Sequence, residues 1–162
     1  MVVVIMGIVA AVAVSRVGDM ATRAKIASTR EAVRVIQATV DEEQAATGQW
    51  PTVLTSVMFA GSRWPRNAFL PVQKVPIEVA NGAAQHPGNM AASSVSDGAF
   101  WYNNSVGIVR ARVSPRGSNA ETLALYNWVN GTNVKVLTTS GEQSGGHAEA
   151  STGIAAVEFE EQ

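Results

Sequence analysis

Met1-Val-Val-Val-Ile-Met-Gly-Ile-Val-Ala-Ala-Val-Ala-Val14 carries no charge and no hydrogen-bonding side chain, and it runs without a proline into a helix-compatible stretch that lasts to Thr47. Gly18 is the only glycine between Ser15 and Gly48. Ile26, Val33, Ile36 and Val40 recur at spacings of seven, three and four, which marks one apolar helix face. Ala21, Ala24, Ala27, Ala32 and Ala38 thin other parts of the surface and let a neighbouring helix approach. Asp19 with Arg23, and Glu31 with Arg34, add about 0.2–0.5 kcal/mol each as helix-face pairs. As one helix, residues 1–47 would measure about 70 Å, against an average helix of ~11 residues. Such a rod needs stabilisation from outside itself. An apolar rod fused to an amphipathic one, ahead of a polar globular part, suits insertion and assembly rather than soluble catalysis.

The rod has a clear stop. Gly48 suits the left-handed conformation at a helix C-terminus, and Pro51 forbids continuation. Trp50 between them is a large apolar anchor. Residues 1–47 therefore form an assembly helix and residues 48–162 a globular head, enough chain for one modest core. Within the head, residues 53–60 predict a short helix and residues 71–79 an extended segment. Residues 81–97 read as a flexible surface loop between prolines and glycines. Residues 99–113 predict a hairpin: aromatic Phe100-Trp-Tyr102, turn-forming residues 103–107, then period-two alternation that turns Arg110 and Arg112 away from Val109, Ala111 and Val113. Ser118 and Glu121 have capping-box spacing ahead of a helix holding Leu123, Tyr126 and Trp128, closed by Asn130-Gly131. Residues 133–139 predict another strand, and residues 153–159 a last strand or docking segment. The fold class is α+β, a long N-terminal helix packed on a small antiparallel-sheet head.

Composition narrows the function. Net charge is −1 and charged residues make up only 15% of the chain, so no basic field points to nucleic acid. With no cysteine, disulfides, thiolate zinc sites and iron–sulfur clusters are excluded. His86 and His147 lie about sixty residues apart in loop-like sequence and read as solvated histidines rather than a catalytic or metal pair. Asp97, Glu142 and Glu149 lack the dense acidic loop that calcium requires. No Gly-x-Ser-x-Gly or paired acid and base is present. No catalytic, cofactor or metal residue is expected. The four tryptophans read mostly as core anchors, and Asn103-Asn-Ser105 and Asn130-Gly-Thr132 match the glycosylation pattern. Arg16, Arg23, Lys25, Arg30 and Arg34 make the first half of the polar rod basic, while Asp41-Glu-Glu43 makes its end acidic. This is either a self-compensating solvated face or charge register with neighbours or lipid headgroups.

Residues 1–19, and above all Gly7, Ile8, Ala10, Ala11 and Arg16, resemble the N-terminal helix of type IV pilins and type II secretion pseudopilins. Gly48-Gln-Trp-Pro51 resembles the exit from that helix, and the mixed segment with a small sheet resembles a pseudopilin head in outline. Two departures stand out. The family's cleaved leader and its glutamate would lie upstream of Met1, so the chain is expected to begin inside a longer apolar segment. Without that extension, the apolar run is short for a span of ~20 residues and lacks the basic start of a signal peptide. The family also commonly has proline where this chain has Ser15, which keeps its N–H. Any melting in an assembled filament is expected between Gly7 and Ser15.

The resemblance implies a structural subunit of a type IV pilus-like or type II secretion filament. The apolar run would sit in the bacterial inner membrane before assembly, then bundle with its copies in a periplasmic or cell-surface filament with the pilus or secretion machinery as partner. Val4, Gly7, Ile8, Ala10, Ala11, Val14, Ser15 and Val17 would be the assembly residues, and Gly48, Trp50 and Pro51 the exit. The eight Val, Ile and Met residues between Val2 and Val12, at about 1.5–3 kcal/mol each relative to water, would contribute of order 10 kcal/mol or more. The gain from lipid is smaller. The alternative is a membrane-tethered binding module, or a minor tip or initiating subunit outside the filament bulk.

Overall fold

The computed structural model describes residues 2–138, with side chains from Met20 onward. The predicted segment at residues 153–159 and the residues Thr139, Glu142, His147 and Glu149 lie outside the described residues. The backbone from Val4 to Val17 is helical, but the side chains of the expected assembly residues lie outside the described part.

Helix α1 spans Val2–Thr47, 46 residues, and its ladder is continuous through Gly7, Ser15 and Gly18. The apolar period read in the sequence is the buried face. Thr29, Ala32, Ile36 and Val40 are buried, with Ile26 and Val33 packed beside them. Met20, before the stripe begins, is 68% exposed. Among the residues described with their side chains, no helix is long and apolar enough to cross a membrane. The helix ends as its sequence requires. Gly48 has φ +78°, and its N–H donates to the Gln44 carbonyl at 2.8 Å.

After the rod, two single-turn 3-10 segments, Ser56–Met58 and Ala60–Ser62, stand where one short helix was expected. Extended Phe59 separates them, and Gly61 inside the second has φ +67°. Then come strands β1 (Ile77–Ala80), β2 (Phe100–Asn103) and β3 (Ile108–Ala111), and helix α2 (Asn119–Asn130). The hairpin and the second helix match their predictions. Ser118 caps α2 by accepting from the Glu121 N–H at 3.2 Å, and Gly131 ends it at φ +63°.

The sheet corrects one expectation. Its order is β1-β2-β3, with β2 and β3 antiparallel but β1 and β2 parallel, so it is mixed rather than antiparallel. The parallel partner comes from the proline-punctuated stretch, where only four residues pair. Residues opposite each other share a face, so Phe100 and Tyr102 lie with Ala111 and Val109. These four join Ala32, Ile36 and Val40 from α1, and Leu125, Tyr126 and Val129 from α2, in one buried cluster. The second half of the rod is therefore built into the head's core.

Residues 81–97 are a second correction. Pro87, Met90, Ala91 and Ala92 are buried, and Ala91 forms a bridge with Val113. The described part of the predicted 133–139 strand forms no ladder; the Thr138 carbonyl accepts from the Met90 N–H at 3.1 Å and its hydroxyl donates to the Pro87 carbonyl at 3.0 Å. Arg112 does turn away from Val113, yet into protein rather than solvent. Its guanidinium lies 2.7 Å from Glu78 and donates to the Asn89 and Gly98 carbonyls. Only 4% of that side chain is exposed, so removing Glu78 would leave a buried charge short of its counter-ion.

Candidate assembly surface

The exit from α1 is stapled to the hairpin. Trp50 lies against Gly107 so closely that a Cβ there would meet the indole at 2.5 Å, and Gly107 also has φ +69°. Both facts require glycine at the hairpin turn. The Tyr102 hydroxyl donates to the Pro51 carbonyl at 2.9 Å, and burial pushes that phenol up to about 12. Trp50 thus packs the exit against the β2–β3 turn.

Side-chain amides do much of the joining. Gln37 on α1 donates to the Gly107 carbonyl at 2.7 Å and accepts from the Val109 N–H at 3.0 Å. Asn130 at the end of α2 does the same to Ala111, accepting from its N–H at 2.7 Å and donating to its carbonyl at 2.9 Å. Arg110 donates to the Val109 carbonyl, and Val113 exchanges bonds with Met90 and Ala92. The free edge of β3 is therefore met along its length by an amide from each helix, a guanidinium and a loop. An open edge would otherwise invite another strand.

Asn103 and Asn130, the two glycosylation matches, are occupied in this way. The buried Asn103 amide donates to the Gly82 and Ala84 carbonyls and accepts from the Ser105 N–H. Asn67, equally buried, ties the Ala99 and Arg112 carbonyls together and accepts from the Phe69 N–H. Asparagine reads as a turn former in the sequence, and nothing in the local pattern marks these as interior tethers.

His86 is half-buried rather than solvated. Its Nδ1 lies 3.0 Å from the Tyr126 hydroxyl, with the rings edge to face. Burial holds the imidazole below its ordinary pKa, and the Arg110 charge adds to that. Burial raises Tyr126, with Arg110 and Arg112 opposing. Next to this pair lies an apolar groove of about 420 Å³ lined by His86, Pro87, Met90, Val134 and Val136. Asp97 folds its own loop. Desolvation pushes its carboxyl up, but hydrogen bonds from Ser94, Ser93 and Asn89 outweigh it and leave the group below the usual range. Among the described residues, no three His, Cys, Asp or Glu groups gather to hold a metal ion.

The exposed back of α1 has two flanks. At about 100° per residue, Arg23, Arg30 and Arg34 share a narrow sector with Ala27 beside it. Glu31, Val35 and Glu42 fall in a second sector about 100° further round. All seven are exposed. Arg30 donates to the Trp128 carbonyl on α2, and Arg34 makes a loose 3.8 Å pair with Glu31. Among the described residues, neither Arg23 nor Glu42 has an ion-pair partner. Trp128, expected among the anchors, stands 60% exposed, and a shallow groove of about 250 Å³ lined by Arg30, Arg34, Val129 and Asn130 runs beside it.

No protein-family model matches the chain, and neither a curated protein nor a solved structure does.

Proposed function

We propose that the chain is a structural subunit of a type IV pilus-like or type II secretion filament that polymerises through α1. The observation carrying this reading is the division of one continuous rod. Its stripe from Ile26 to Val40 is built into the head, while the same helix extends back to Val2 through an apolar, glycine- and alanine-containing sequence. The sealed β3 edge is in keeping with it, because the side of the sheet that meets the rod is closed to strand addition. On this reading the apolar run sits in the inner membrane before assembly and is then buried among its copies. The head forms the outer surface and performs no chemistry.

Cryo-electron microscopy of filaments sheared from the native cells tests this. The expected result is a helical array of this chain with residues 1–47 bundled at the centre. Filaments made only of other proteins, with this chain left in the membrane fraction, would favour the tethered binding or initiating role instead.

A further inference from the structure

The two charged flanks of α1 match each other under one displacement. Glu31 lies eight residues beyond Arg23, and Glu42 lies eight residues beyond Arg34. Val35 likewise lies eight residues beyond Ala27, so the same shift that pairs both sets of charges brings the exposed valine opposite a small residue. Within one chain these partners cannot meet, being separated by more than two turns along the axis and by about a quarter turn around it. Between two parallel copies they meet together.

We propose that the acidic flank of one copy docks on the basic flank of the next, a parallel neighbour shifted by eight residues, about 12 Å along the helix. Glu31 and Glu42 engage Arg23 and Arg34, and Val35 seats over Ala27. This rests on the filament reading and deepens it by naming the contact. The occupant is a second copy because the two surfaces are complementary in sign, spacing and bulk, and both belong to this chain. The groove between α1 and α2, with exposed Trp128 beside it, borders the basic flank and offers the neighbour apolar area. The contact joins two different faces, so it is heterologous. With an axial shift at every step it cannot close into a ring, and it generates an open helix of subunits.

The absence of native cysteine gives a direct test. Ala27→Cys with Val35→Cys keeps all the charges and places thiols that only neighbouring copies can join. Within one chain the pair lies about 12 Å apart, beyond the reach of a disulfide at ~7 Å. The full chain, expressed in membranes and mildly oxidised, is expected to give a ladder of covalent trimers and larger oligomers. The mismatched pair Ala27→Cys with Ala46→Cys should give none. Adding Arg34→Glu should cut the ladder about tenfold, the size of one lost exposed pair with added repulsion, and adding Glu42→Arg to that variant should restore it. Dimers alone, equal ladders from both cysteine pairs, or indifference to Arg34→Glu would overturn the proposed contact. If the unaltered chain still forms filaments in the same preparation, the structural role survives that loss. If it forms neither ladder nor filament, both fall.

Discussion

On the β3 side of the sheet, the outward backbone groups of Gly107, Val109, Ala111 and Val113 find partners on α1, on α2, on Arg110 and on the 90–92 loop. On the β1 side, Pro76 and Ala80 bond inward to β2, which turns Ile77 and Val79 outward. Among the described residues nothing pairs with that edge. The difference shows two ways of handling an edge strand. One is closure by side chains that imitate a strand; the other is brevity, since β1 pairs over only four residues. Closure is used where the sheet meets the rod, and there it also fixes the angle at which the rod leaves the head.

Breaking the closed edge should cost most at Asn130. Asn130→Ala leaves both polar groups of the buried Ala111 backbone without partners, at about 2–4 kcal/mol, read as a fall in the urea midpoint of the isolated head with its helix. Gln37→Ala strands the Gly107 carbonyl and the Val109 N–H, and about 1–3 kcal/mol is expected. The sharper observable there is faster amide exchange at Val109, with that at β1 unchanged. A loss confined to global stability, with no local change at Val109, would break the account.

Acid should weaken the closed side as well. The His86 pKa is lowered in the folded chain, so the unfolded chain binds more protons below about 6.5. Its contribution is present above that pH and lost as pH falls through the folded value. The imidazolium would form beside the Arg110 guanidinium, with the Tyr126 hydroxyl as its neighbour. Melting temperature should therefore drop as pH moves from 7.5 to 5.5, and His86→Asn should flatten that slope. Asp97 has a lowered pKa too, and its effect appears further down, around pH 4 and below. The smallest effect belongs to the open side. Val79→Lys should leave stability within about 0.5 kcal/mol, because no outward bond of β1 is there to lose.

Legibility in the sequence followed the range of the interactions. The rod, its stop at Gly48, the hairpin and the capped second helix rest on neighbours a few residues apart, and local pattern was enough. The parallel β1–β2 pairing was not visible, because nothing near Ile77 specifies a partner more than twenty residues away. The same holds for Arg112, whose counter-ion Glu78 arrives from β1. Gln37 and Asn67 drew no reading in the sequence, and Asn103 and Asn130 read as turn chemistry; only the folded chain brings strand edges and carbonyls to their amides. Of the proposed assembly surface, the basic-then-acidic order along the rod was legible. Its separation into two flanks required knowing which side of α1 is buried.

The bond from Arg30 to the Trp128 carbonyl spans 98 residues of sequence. Translation delivers the rod before its cover, since Leu125, Tyr126 and Val129 are the last of the buried cluster's residues to be made. At about 5–20 residues per second, the stripe from Ile26 to Val40 waits several seconds for α2, with its alanines and valines facing water or whatever holds the nascent chain. An early halt before Asn119 would release a rod with no lid, so the integrity of the far end of the message decides whether the near end is safe to release.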